Sequence, residues 1–165
     1  MILHYFNKKE IIEDKIAKNV YKNILKRSNV IINSNDLFEN KDYNSSFEIV
    51  SILLIIYIKN NINFKYQNYK KINEALMSIF ISDLDESLRQ NGIGDMSIGK
   101  YVKKYVKKFY YRLKKFPKDI SNCKKQSFVE YLLLFELIRK NEILRASEII
   151  FFHYKEILNE YNKEI

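Results

Sequence analysis

Apolar residues recur every three or four positions along most of the chain, which is the pattern of amphipathic helices. One such stripe runs through Ile72, Leu76, Phe80 and Leu84, and a later one begins at Val102. This periodicity predicts helices over residues 7–27, 72–91, 95–116, 124–141 and 143–161. With one more helix considered below, it predicts an all-α fold, a single compact domain of about six helices over residues 1–165, orthogonal or bundle-like.

Three stretches depart from this pattern. Residues 46–60 are apolar nearly all round. Their β-branched residues allow a buried strand, but the length of the run and its helical neighbours favour a central buried helix. Residues 28–46 are rich in Asn and Ser and are expected to form a loop containing a turn of helix. Residues 61–72 read as a polar connection.

All three glycines of the chain, Gly92, Gly94 and Gly99, fall within one short stretch. Gly92 follows an apolar helical run, where a glycine with positive φ ends a helix. Asp95 or Ser97 is expected to cap the next helix by accepting from its first N–H groups, and Pro117 marks that helix's end. The unit therefore reads as helix, tight glycine turn, helix.

The residues around this turn form a motif that covers both helices. Its members are Phe80, Asp83, Asp85, Leu88, Arg89, Gly92, Gly94, Asp95, Ser97, Gly99, Lys100, Phe109, Tyr110 and Arg112. Over roughly residues 74–116 the run resembles the ubiquinol-cytochrome c chaperone family, with Gln90 where the family usually has Glu and Tyr111 where it has Gly. Outside this stretch the resemblance is thin: Ser45 and Ser46 stand in place of a Gly-Arg pair, and Leu53 in place of a histidine.

The resemblance implies a non-enzymatic assembly chaperone for cytochrome b and ubiquinol-cytochrome c reductase, respiratory complex III. It implies cytochrome b or another complex III subunit as partner, with the motif residues as candidates for client binding. It implies no cofactor and no small-molecule substrate.

The chain is strongly basic, with a formal net charge of +9. Nine Lys and Arg residues and no acid lie between Asp95 and Asp119: Lys100, Lys103, Lys104, Lys107, Lys108, Arg112, Lys114, Lys115 and Lys118. Most of the lysines fall opposite the apolar stripe of their helix, so they predict a basic ridge. This ridge could contact a membrane surface or a ribosome. The alternatives are a solvated helix face and a basic helical nucleic-acid-binding module, which is disfavoured because the helix pair lacks base-reading side chains.

Other candidate chemistry is weak. Residues 94–100 fit the phosphate-loop pattern G-x-x-x-x-G-K, but Tyr101 follows the lysine and a helix precedes the loop. Asp83 and Asp85 point to different sides of their helix, so paired acid–base catalysis is disfavoured. Asp83 is instead expected to hold the turn or to meet a basic side chain such as Arg112.

The His and Cys residues are too few and too dispersed for a metal or nucleophilic site. They are His4, His153 and Cys123. The sequence therefore predicts no metal, no cofactor and no enzyme activity.

The pattern at the N-terminus is not that of a secretory signal, and the longest apolar run, Ile49–Ile58, falls short of the ~20 residues that span a bilayer. The expected location is cytoplasmic, or peripheral on the inner face of a bacterial cytoplasmic membrane. In a eukaryote it would be the mitochondrial inner membrane or matrix.

Overall fold

The computed structural model describes residues 12–34, 36–61, 68–117, 126–135 and 138–163, and the predicted all-α architecture is confirmed there. Lys118 and Cys123, like His4, lie outside the described residues. Within these ranges six α-helices follow one another, with a single 3₁₀ turn (Lys140–Glu142) before the last: α1 (Ile12–Ser34), α2 (Tyr43–Asn61), α3 (Tyr69–Gln90), α4 (Asp95–Lys115), α5 (Gln126–Leu132) and α6 (Ile143–Lys163).

Helix α2 lies at the centre of the described core, which confirms the helix interpretation of residues 46–60. It contacts α1, α4 and α6, and Ile49 and Ile52 through Ile56 expose no surface. The carboxylate of Asp42 accepts a hydrogen bond of 3.0 Å from the Ser45 N–H and caps the helix. This bond lowers the pKa of Asp42. Among the described helices, none combines the length and hydropathy needed to cross a membrane.

The structure corrects several predicted boundaries: α2 begins at Tyr43, within the predicted loop 28–46, and α3 begins at Tyr69, within the predicted connection 61–72. Helix α1 continues to Ser34, where the sequence predicted a loop from residue 28, because Ile31 and Ile32 extend its buried face. The buried hydroxyl of Ser28 donates a 2.8 Å hydrogen bond to the Ile24 carbonyl, so this polar side chain has a partner within the helix.

The helix predicted over residues 124–141 ends at Leu132, much earlier than expected. Phe135 and Ile138, which continue its stripe of buried residues, are both buried, but neither lies in a helix. Ile138 forms an isolated antiparallel bridge with Phe38, and the Arg139 N–H donates 2.9 Å to the Leu37 carbonyl. Phe38, the partner in this bridge, lies a hundred residues away in sequence, so local periodicity could not show it.

The turn between α3 and α4 is closed by a Schellman motif, as the position of Gly92 predicted. Gly92 has φ +88°. Its N–H donates 2.9 Å to the Arg89 carbonyl, and the Ile93 N–H donates 3.1 Å to the Leu88 carbonyl. These bonds satisfy carbonyls at the end of α3 and turn the chain sharply.

The predicted side-chain cap of α4 is wrong. The helix begins at Asp95, so the cap position falls on Gly94, and neither Asp95 nor Ser97 makes a side-chain capping bond. The far end follows the prediction, because Phe116, the residue before Pro117, is extended and stops the helix.

Gly92→Ala should destabilise the fold by about 1–2 kcal/mol, because a Cβ is strained at positive φ. Urea unfolding followed by circular dichroism measures the change. Gly99→Ala is the matched control: Gly99 lies inside α4 with open space around it, so alanine should stabilise by about 0.5–1 kcal/mol. Equal effects of the two substitutions would contradict this account of the turn.

A candidate partner-binding site at the α3–α4 turn

The side chain of Arg89 clamps the turn from outside. Its guanidinium pairs with Asp85, one turn earlier on α3, and with Asp95 in the first turn of α4. The hydrogen bonds to Asp85 and then Asp95 raise the pKa of Arg89. Three charged members of the motif therefore fasten the end of one helix to the start of the next.

Asp83 anchors α3 to α1. Its carboxylate accepts a 2.7 Å hydrogen bond from the hydroxyl of Tyr21. Burial, followed by this bond, raises the pKa of Tyr21. The expectation that Asp83 holds the turn or meets a base such as Arg112 is wrong, because the facing helix offers a tyrosine hydroxyl there. Asp83 and Asp85 thus have separate partners and do not form a pair.

The apolar members of the motif belong to the core. Phe80 and Phe109 pack with ring centroids 5.0 Å apart, and Phe47 of α2 stacks on Phe80 at 6.2 Å. Leu88 is also buried. These residues join α2, α3 and α4 and leave no surface for a partner.

Arg112 binds α2 and the segment after α5 at once. One guanidinium nitrogen lies 3.2 Å from Oε1 of Glu48, and the other donates 2.6 Å to the Leu134 carbonyl. The Phe135 ring lies 4.1 Å from the guanidinium carbon. Lys108 pairs with the same Oε1 of Glu48. Glu48 is 2% exposed and Arg112 8%, so this ion pair lies inside the fold.

Glu48 was not identified from the sequence as a buried, charged residue of α2. It is the only carboxylate of α2 and sits between Phe47 and Ile49 in a run read as apolar. A buried carboxylate requires a charged or hydrogen-bonding partner. That requirement, together with an arginine on the apolar side of α4, is the signal that could have revealed the pair.

The remaining motif residues are exposed and lie on α4 or at its start. Within the described residues, the side chains of Ser97 and Lys100 are exposed and form no ion pair that joins two helices. Next to them, Met96 is 103% exposed, and further along α4 Tyr110 is 51% exposed. Besides Arg89, Gly92 and Asp95 of the turn, the exposed motif positions are Gly94, Ser97, Gly99, Lys100 and Tyr110.

The predicted basic ridge forms on α4. Exposed lysines on this helix are Lys100, Lys103, Lys104, Lys107, Lys114 and Lys115. Lys108, predicted to belong to the ridge, instead turns toward Glu48, because its place on the helix lies between the outer and the inner face.

Residues 94–100 do not form a phosphate loop, since Asp95–Lys100 are the first turns of α4. Within the described residues, no cluster of His, Cys, Asp and Glu could hold a metal ion. His153 is buried in α6, and burial, with the nearby Arg27, lowers its pKa.

Glu48→Gln should lower the free energy of unfolding by about 3–5 kcal/mol, because it leaves the buried Arg112 without a carboxylate. Arg112→Met should lower the free energy of unfolding by less, because Glu48 remains paired with Lys108. The double variant should lose less than the sum of the two single variants. Urea unfolding measures the cycle.

The exposed pair Arg145–Glu142 serves as a control for this cycle. Arg145→Met should cost less than about 1 kcal/mol, as surface pairs do. If the losses in free energy of unfolding of the two single variants simply added up in the double variant, Glu48 and Arg112 would not interact, which would contradict the buried ion pair.

Tyr21→Phe should destabilise by about 1.5–3 kcal/mol, the range for a hydrogen bond to a charged group. Tyr105→Phe is its control, because that hydroxyl donates to the neutral side chain of Asn44 at an exposed site. Thermal and urea unfolding should rank the two variants in this order, and the reverse ranking would rule out the anchoring role of Asp83.

The family described as "Ubiquinol-cytochrome C chaperone" matches residues 39–130, which include Glu48, the α3–α4 turn and Arg112. The crystal structure of the Cbp3 homolog from Brucella abortus superposes with a TM-score of 0.65 at 21% identity, over 95% of this chain and 88% of that chain. The likeness to that structure shows a shared fold. A search of curated protein sequences finds no match. Because the family match extends over more than half of the chain, the protein belongs to the ubiquinol-cytochrome c chaperone family.

Proposed function

We propose that this protein is a non-enzymatic assembly chaperone for cytochrome b and for ubiquinol-cytochrome c reductase, respiratory complex III. Membership of the ubiquinol-cytochrome c chaperone family is the observation that carries the proposal. The partner would be cytochrome b or another subunit of that complex.

The use of charge within the motif supports a binding role over a catalytic one. Asp83 is engaged by Tyr21, and Arg89 is shared by Asp85 and Asp95. A general acid–base pair needs two titratable groups that converge on one reacting atom. Here the carboxylates diverge and are used to fasten helices.

The proposed client surface consists of the motif residues that have no structural role. Motif residues of the core are buried and cannot face a partner, and the charged residues of the turn, Asp85, Arg89 and Asp95, are already paired with one another. The exposed positions at the start of α4, Ser97 and Lys100 with the neighbouring Met96, have no such duty. We assign client contact to this end of α4, which the Arg89 clamp and the Gly92 turn hold in a defined position. A pre-positioned surface loses less conformational entropy on binding.

The proposed site of action is the inner face of the cytoplasmic membrane in a bacterium, or the inner membrane or matrix of a mitochondrion. A chaperone for a subunit of a membrane complex has to bind that subunit where it enters the bilayer. The protein would act there as a peripheral or cytoplasmic factor, in contact with the membrane surface or with a ribosome.

Reduced-minus-oxidised haem spectra of membranes test the proposal. Cells that lack the gene should lose the b and c₁ signals of complex III while other cytochromes remain. Expression of the unchanged protein should restore both signals. Unchanged spectra without the gene would overturn the proposed function.

Two serine substitutions then test the client surface. Ser97→Glu adds bulk and charge at the third residue of α4, where an acidic side chain favours the helix dipole, so the fold is retained. This variant should restore less complex III than the unchanged protein. Ser78→Glu, an exposed change on α3 outside the motif, should restore it fully. Immunoblots establish equal protein levels, and full restoration by both variants would exclude this end of α4 as the client surface.

A further inference from the structure

Helix α4 displays a face that is basic along its whole length. Exposed residues on this face recur at spacings of three and four, which places them in one row. They are Met96, Lys100, Lys103, Lys104, Lys107, Tyr111, Lys114 and Lys115. From Lys100 to Lys115 the row extends about 22 Å along the helix at 1.5 Å per residue.

The positive charge on this face is not relieved by neighbouring acids. After Asp95, α4 contains no acidic residue. The two cations of α4 that do meet a carboxylate, Lys108 and Arg112, turn inward to Glu48. Within the described part of the chain, none of the six lysines of the face forms a salt bridge. Like charges at this spacing repel and weaken a helix, so the row lowers stability unless an anionic partner covers it.

The face is shallow and open, which suits a surface rather than an inserted side chain or a small ligand. Lys100, Lys103, Lys104 and Lys107 border a concave patch floored by Gly99. A Cβ on Gly99 would meet no atom within 4 Å, so phosphate-sized groups can approach the helix between the lysines.

Two apolar side chains lie in the same row as the lysines. Met96 is 103% exposed at its start, and Tyr111 is 50% exposed further along. The Lys115 ammonium lies 5.9 Å from the Tyr111 ring. Aromatic and apolar side chains beside lysines are typical of helices that rest on the interface of a bilayer, where the ring enters the headgroup layer and the ammonium stays among phosphates.

The type of basic side chain on this face favours a lipid surface over a nucleic acid as the partner. Arginine is preferred where phosphates or bases are recognised in a fixed geometry, because its planar fork binds in a bidentate manner. The one arginine of α4 is buried against Glu48 and Phe135. The exposed face carries lysines alone, which act as point charges toward a fluid anionic surface.

We propose that this face of α4 docks the protein on an anionic phospholipid surface, with its lysines among the headgroup phosphates and Met96 and Tyr111 in the interfacial layer. The axis of α4 then lies parallel to the membrane plane. The buried pair with Glu48 holds the helix in this rotation. This inference deepens the proposed function, because Met96 and Lys100 belong both to the proposed client surface and to the docking face. Lys103, Lys104 and Lys107 belong to the docking face alone, so vesicle binding by the purified protein can fail or hold separately from complex III assembly.

Flotation with vesicles tests the docking surface. The unchanged protein should bind vesicles of equal parts phosphatidylglycerol and phosphatidylcholine, should not bind phosphatidylcholine alone, and should dissociate at high salt as screening shortens the reach of the charges. The variant K103E/K104E/K107E should lose roughly a hundredfold or more in partition coefficient, at about fivefold for each lysine.

A charge-matched control separates the face from net charge. K22E/K70E/K155E changes exposed lysines on α1, α3 and α6 and alters the net charge by the same amount. It should retain most of the binding. Equal loss in both variants would show that only overall charge matters and would overturn the proposal, as would binding of poly(U) RNA with no binding of vesicles.

The absence of tryptophan from the chain permits a direct report of contact. M96W places one fluorophore at the exposed start of the face, and F152W places one at an exposed site on α6. Anionic vesicles should shift the emission of M96W to shorter wavelength and leave that of F152W unchanged. A shift in F152W alone would place the membrane contact elsewhere and overturn the assignment to α4.

Discussion

The buried ion pair between Glu48 and Arg112 is the constraint on which the arrangement of the helices depends. Helix α2 is surrounded by α1, α4 and α6 and has one carboxylate in its apolar length. Taking that carboxylate out of water costs several kcal/mol unless a cation meets it. Arg112 meets it and also binds the Leu134 carbonyl and the Phe135 ring. A single side chain thereby sets the rotation of α4 relative to α2 and seats the segment after α5.

The rotation of α4 has a functional consequence. With Arg112, Lys108 and Phe109 turned inward, the other lysines of the helix must face outward. The glycine turn and the Arg89 clamp then determine where this helix begins. The motif residues of this chain therefore mainly position α4, and the proposed client and membrane contacts fall on residues of α4 that remain exposed. The inner face of α4 stabilises the fold, and its outer face is the one proposed to bind partners.

Local signals in the sequence were sufficient for much of the fold. The α3–α4 turn could be predicted because a glycine after an apolar stripe and a proline after the next helix act within a few residues of their own position. The buried α2 helix followed from the length of its apolar run. The N-cap of α4 was predicted at Asp95 or Ser97, whereas it lies at Gly94, which caps the helix without a side-chain hydrogen bond.

Other predictions failed because they depend on contacts between distant segments. The partner of Asp83 is Tyr21, which lies on α1, and the partner of Arg112 is Glu48, which lies on α2. The early end of α5 reflects the bridge between Ile138 and Phe38. Periodicity shows which face of a helix is buried, but it does not show which residue lies opposite. The exposed part of the site could be named only after the buried part had been identified by its contacts.

Site-specific photo-crosslinking in cells that are synthesising cytochrome b tests the central claim most directly. A photoreactive residue would replace Ser97 in one strain and Ser78 in another, and adducts would be identified by mass spectrometry. The account predicts a cytochrome b adduct from position 97 and none from position 78. Adducts from position 78 alone, or none with any complex III subunit from position 97, would contradict it.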